Sequence, residues 1–272
     1  MFEPWVYKWL SCIGLVLLAY ALMNSRFFWS RRIGLWLIFG AMGLGVWFLT
    51  ESWVLAVVAL VGWFILPLAQ TVYLSRSLKF SLSRRLIKER QEVDDFEDWA
   101  ELSRDLKEAG FLLDGEYALK PSPIDYGFRL FQRPEKNQVA GLGLVRQGGL
   151  ALSYVLVVSR SQDGSLWVTW DYPMAYGLKM PPHLNVFRCL DAASVQELVD
   201  QHQAFLTLNE VVENPDKAEP HEIFDSIFGD TMRYNLTIGL LRSSKKSDEE
   251  IFYSWRGTLF ITWQVLRDMV RG

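Results

Sequence analysis

Three histidines and two cysteines are the side chains of this 272-residue chain best suited to metal or nucleophile chemistry, and their spacing supports little of it. A zinc site would have to gather His183, Cys189 and His202, yet zinc ligands usually come as tight pairs two to five residues apart, and none of these intervals fits. No metal site, cofactor or catalytic group is therefore expected. His183 with Asp171 is the one acid–base pair that folding could assemble into an enzyme site. Cys12 lies in an apolar run and Cys189 far from it, so one chain has no disulfide framework, and each is a small hydrophobe that a core accommodates.

Three other patterns carry weak chemical signals. Gly141-Leu142-Gly143-Leu144-Val145 followed by Gly148-Gly149 resembles a phosphate loop only superficially, because the third glycine is displaced and the segment reads as strand and hairpin. Asp94, Asp95, Glu97 and Asp98 have no matched partner and suit the positive end of a helix dipole. Asn235-Leu236-Thr237 is a glycosylation triplet, expected to go unused in a cytosolic domain.

The most suggestive stretch is WVTWDYPMAYGLKMPPHLNVF, residues 167–187. Trp167, Trp170, Tyr172, Met174, Tyr176 and His183 are expected to form a binding surface, since aromatic and methionine side chains bury much area and adapt to a partner. In the competing reading Trp170 and Phe187 are core. Trp170, Tyr154 and Met174 are also placed to line a pocket for a lipid or metabolite.

The elements that position these residues read as an α+β domain over 93–212. A helix over 94–109 repeats Phe96, Trp99, Leu102 and Leu106 and stops at Gly110. Strands follow over 116–120, 126–132, 138–146, 150–159 and 165–171, and their short connections predict a five-stranded antiparallel meander flanked by helices. In the strand 150–159 both faces are apolar, which predicts a central strand covered on both sides. The capping pattern at Ser194 opens a helix to about Leu208, Pro220 begins one to about Leu241, and Ser247 opens a last one over 247–270; residues 213–219 and 242–246 read as linkers. Residues 219–272 form a C-terminal helical region.

Residues 1–73 are nearly free of charge and predict a three-helix transmembrane anchor over 5–23, 33–49 and 53–73, each near the roughly 20 residues that cross a layer about 30 Å thick. The first is read as a retained anchor rather than a signal peptide, because no net basic segment precedes it. No ionisable residue is central to a span, and Gly34, Gly40, Ala41, Gly43 and Gly45 suit close helix packing. Basic residues follow the first and third spans and are absent from the turn at Glu51, so the amino terminus is expected outside and the rest cytoplasmic.

A basic juxtamembrane helix is expected over 74–92, with Arg76, Lys79, Arg84, Arg85 and Lys88 facing anionic headgroups before the chain turns acidic. An ordinary solvated charged helix is the competing reading. The last helix lines up Phe252, Trp255, Leu259, Trp263 and Leu266, with Arg256 beside them; its stripe suits the membrane interface, the sheet or a partner.

These observations together predict a non-enzymatic, multi-pass cell-membrane protein that acts as a scaffold or protein-interaction subunit. Its expected partners are membrane lipids, including anionic headgroups, and another protein subunit or a second copy; nucleic acid is not among them. A lipid- or metabolite-binding regulatory module on the same anchor is the alternative.

Overall fold

The computed structural model describes residues 4–23, 28–91, 97–147, 150–173, 177–214, 219–244, 247 and 249–271. The chain divides into two compact units, Met1–Ser75 with Thr258–Gly272, and Arg76–Gly257.

The first unit is helical, built on α1 (Pro4–Met23), α2 (Phe28–Thr50) and α3 (Trp53–Ser77). Among the described residues, Val6–Met23 and Trp53–Ser77 have the length and composition to cross a membrane, whereas the apolar part of α2, Trp36–Thr50, is shorter. Two of the three expected spans thus meet that measure among the described residues. Burial in this unit is inverted relative to a water-soluble bundle: Leu17 and Leu18 of α1 and Ile65 and Leu66 of α3 are exposed, while the buried positions are small. The thiol of Cys12 donates to the Ala41 carbonyl at 3.9 Å, and a Cβ on Gly34 would lie 2.7 Å from the Ala19 carbonyl oxygen. Those two pairs set α1 antiparallel to α2. Gly43 admits Leu60 of α3 in the same way, so glycine spacing here serves close helix packing.

The second unit holds β1 (Lys79–Ser81), β2 (Arg85–Lys88), α4 (Glu97–Glu108), β3 (Leu112–Lys120), β4 (Asp125–Arg133), β5 (Gln138–Gln147), β6 (Leu150–Arg160), β7 (Leu166–Trp170), β8 (Leu184–Arg188), α5 (Val195–Leu208), α6 (Pro220–Thr237), β9 (Leu241–Ser243) and β10 (Glu250–Tyr253); α7 (Trp255–Arg271) begins in this unit. A seven-stranded sheet runs β2-β3-β4-β5-β6-β7-β8, and a small sheet runs β1-β10-β9.

Both faces of the large sheet are covered. On one, Leu142, Leu144, Val155 and Val157 meet Trp99 and Leu106 of α4 and Leu198 of α5. On the other, Phe128, Leu130, Leu156 and Val158 meet Ile223 and Phe224 of α6. The two-faced apolar strand β6 lies between them, as its composition predicts. Gly110, with φ 89°, ends α4 by a Phe111 N–H to Leu106 carbonyl bond of 3.0 Å, and Ser194 Oγ accepts from the Glu197 N–H at 3.2 Å to start α5.

Three expectations are corrected. The sheet has seven strands rather than a five-stranded meander, because β2 joins one edge and β8 the other, the latter parallel to β7 after a long connection. The segment 74–92 is not one basic helix: α3 ends at Ser77, and β1 and β2 follow, their backbones held by Phe252, Ile251 and Glu250 on one side and by β3 on the other. The helix expected to open at Ser247 begins instead at Trp255, and part of the proposed linker 242–246 pairs as β9 with β10.

Candidate functional site

Parity along β7 separates the residues expected to share one binding surface. Trp167 faces α5, its ring 5.0 Å from that of Phe205, while Trp170, three positions on, joins the opposite core beneath α6. Tyr172 goes with Trp170, 5.8 Å away between ring centres, and lies 4.8 Å from Tyr154. Met174 and Tyr176 lie outside the described residues. His183 is exposed, with Nε2 3.2 Å from Asp230 Oδ2 on α6, whereas Asp171 Oδ1 accepts from the Val155 N–H at 2.7 Å; these two do not form the acid–base pair considered above. Phe187 stacks near Phe205, 5.4 Å between centres, so the stretch wraps the edge of the domain.

The basic collar is likewise dispersed. Arg76 stacks its guanidinium over the Trp255 ring at 4.0 Å, and Lys79 pairs with Glu250 at 3.1 Å across the small sheet. Arg85 and Lys88 are exposed on the edge strand β2, where charge discourages pairing with other chains. Arg84 turns inward instead, over the ring of Phe228. In α7, Trp255, Leu259 and Trp263 are each about 60% exposed, Arg256 Nη1 donates to the Ile238 carbonyl at 3.1 Å, and Gly257, Thr258, Ile261 and Gln264 are buried. The helix thus turns its tryptophans outward and buries two polar side chains.

His202 is fully enclosed between β6, β7 and α5. Its Nε2 is 3.0 Å from Ser159 Oγ and its Nδ1 2.9 Å from Thr169 Oγ1, and Ser159 Oγ in turn donates to Glu213 Oε1 at 2.9 Å. With Ser159 donating to the carboxylate, the bonds run in one direction: the Thr169 hydroxyl donates to Nδ1 and the Nε2–H donates to Ser159. Burial pushes the imidazole pKa down to about 4, so it is neutral at pH 7. Both ring nitrogens are engaged and no solvent reaches them, which makes this a structural chain and not a nucleophile. Among the described residues no group of three metal-ligating side chains occurs.

A cleft of about 470 Å³ opens between α4 and α5. Leu102, Val155, Val195 and Leu198 line its apolar wall; Asp98, Glu101 and Asp105 of α4, Ser194 at the start of α5 and Asp171 after β7 supply its polar groups. Its wall is rigid where α4 is pinned: Arg129 on β4 donates through Nε to Glu116 on β3 at 2.9 Å and through Nη1 to Ser103 on α4 at 2.6 Å, with its guanidinium 5.3 Å from the Trp99 ring. Burial raises the Glu116 pKa, but the Gln91 N–H and Arg129 outweigh it and leave that carboxylate below its ordinary value. Arg104 lies 3.7 Å from Glu101 and 3.8 Å from Asp105, exposed contacts of small individual worth. Asp98 and Asp171 have no ion-pair partner among the described residues. Burial raises the pKa of Asp171, with the Val155 N–H opposing the shift.

Asp98, expected at a helix dipole, and Asp171, expected to pair with His183, come together in this one cleft. Nothing in their spacing could have joined them, because α4 and the end of β7 meet only through the sheet. The glycines of the phosphate-loop-like segment have a packing role: a Cβ on Gly141 would stand 2.5 Å from Phe224 Cζ, and one on Gly143 2.4 Å from Tyr154 Cζ. Asn235 of the glycosylation triplet is fully buried and spends its amide on the backbone of Lys179 and Thr231. No family model, curated protein or solved structure matches this chain.

Proposed function

We propose that this protein is a membrane-anchored, non-enzymatic adaptor whose three-layer domain holds a segment of a partner protein at the cytoplasmic face of the cell membrane. The observation that supports it best is the α4/α5 cleft, which joins an apolar wall to carboxylates and so suits a basic segment carrying aliphatic side chains. In this reading α1, α2 and α3 all span the bilayer, with the amino terminus outside. The exposed aliphatic side chains of α1 and α3 support that, as does the distribution of arginine and lysine in the sequence.

The outward tryptophans of α7 suit the headgroup layer, where an indole keeps its N–H hydrated and its rings in an apolar setting. Arg76 and Arg256, next to Trp255, suit anionic headgroups. Charge reversal at Asp98 and Asp105 together tests the reading: purified in mild detergent, the intact protein carries a stoichiometric protein that the double variant loses. Retention of the same protein by a folded double variant would overturn it.

A further inference from the structure

The turn between β1 and β2 brings Arg84 to the junction of the two sheets and α6, and the position is unusual for a cation. Its Nε is buried without a hydrogen-bond partner, its guanidinium lies 5.5 Å from the centre of the Phe228 ring, and no carboxylate pairs with it among the described residues. The side chain keeps partial exposure, so the guanidinium is not sealed in. Desolvating an unpaired charge costs several kcal/mol, a cost that a bound counter-ion offsets.

The neighbours of Arg84 are donors too. Tyr126 on β4 and Tyr253 on β10 lie within electrostatic range of it, and Tyr126 is likewise in range of Tyr154 on β6. Each phenol can donate through its hydroxyl. On the same face Trp170 has a buried indole N–H without an acceptor. Asp171, the carboxylate in range of Tyr154, already accepts from Val155. A guanidinium with an unsatisfied Nε, and phenol hydroxyls free to rotate and donate, match an anion with more oxygens than an arginine fork alone satisfies.

We infer that Arg84, Tyr126 and Tyr253 form a binding site for a phosphate group, carried either by an anionic lipid headgroup or by a soluble phosphorylated molecule. Arg84 follows the last residue of α3 by seven positions in the chain, which makes a headgroup reachable as a source. The site lies on the α6 face of the large sheet, opposite the α4/α5 cleft, and does not depend on what that cleft binds.

The test is the thermal unfolding of the full chain in nanodiscs. Inorganic phosphate is titrated against chloride at matched ionic strength in phosphatidylcholine discs, and phosphatidylglycerol discs are compared with phosphatidylcholine discs without phosphate. A rise in Tm in the first arm identifies a soluble phosphate ligand, and a rise in the second alone identifies the headgroup; Arg84→Met abolishes the rise in either case. Tyr126→Phe and Tyr253→Phe keep the rings and each weaken the midpoint by about tenfold, near the worth of one hydrogen bond to a charged group. Those two variants decide the matter if Arg84→Met does not fold. The site is refuted if neither arm raises Tm, or if the Arg84 or tyrosine variants respond as the unaltered protein does.

Discussion

His202 Nε2 lies 3.0 Å from Ser159 Oγ at a point no solvent reaches, and with the Nδ1 bond to Thr169 it ties α5 to the large sheet by hydrogen bonds as well as by packing. It also makes folding depend on pH. The imidazole of the folded chain has its pKa pushed down to about 4, against 6.5 ordinarily, so between those values the unfolded chain binds a proton that the folded one refuses. Stability from this group is therefore complete above about pH 6.5 and falls as pH drops through the window. The loss approaches about 3 kcal/mol at about 1.4 kcal/mol per pH unit. Denaturant unfolding at several pH values measures the slope, and His202→Gln removes that part of it.

The glycines of β5 give opposite predictions from a glycine on α6. Gly141→Ala and Gly143→Ala drive a methyl into Phe224 and Tyr154, and each lowers stability by about 1–3 kcal/mol. Gly229→Ala, whose Cβ would meet only the Arg233 guanidinium at 3.6 Å or more, raises it by about 0.5–1 kcal/mol because alanine suits a helix interior better. Urea denaturation of the three variants resolves the difference in sign.

Where local chemistry decides, the sequence was readable: apolar residues on both faces of β6 placed it in the middle of the sheet, and Ser194 and Gly110 marked helix ends that the structure keeps. Where pairing across long separations decides, it was not. Leu82 and Leu86 are four apart and imitate a helix, yet Leu86 belongs to an edge strand whose register is set by Leu119. Strands of three and four residues such as β1, β9 and β10 hold only by pairing with one another, β1 coming from the opposite end of the domain. Charge is visible at Arg84, but its inward direction is not. The separation of Trp167 from Trp170 was in principle visible, since an odd interval on a strand points to opposite faces.

Orientation has a direct check. In a chain freed of Cys12 and Cys189 by replacement with alanine, Glu51→Cys reacts with a membrane-impermeant thiol reagent in intact cells. Lys136→Cys, exposed on the hairpin between β4 and β5, reacts only after permeabilisation. The reverse pattern would place the domain outside.

Helix α7 makes a separate prediction. A polarity-sensitive fluorophore at Trp263→Cys, in the same cysteine-free chain, emits at shorter wavelength in nanodiscs than at the likewise exposed surface position Leu208→Cys of α5 if, as proposed, only the first position meets the interface. Equal emission at both positions would remove α7 from the membrane surface.

Photocrosslinking in living cells tests the proposed role of the cleft between α4 and α5 most directly. With a photoreactive residue in place of Ala193 at the cleft rim, irradiation yields a covalent adduct with a second protein. That adduct disappears when Asp98 and Asp105 are both changed to lysine, while the same probe at Leu208 gives none. An Ala193 adduct that survives the charge reversal in a folded protein, or no protein adduct at all, would contradict the account.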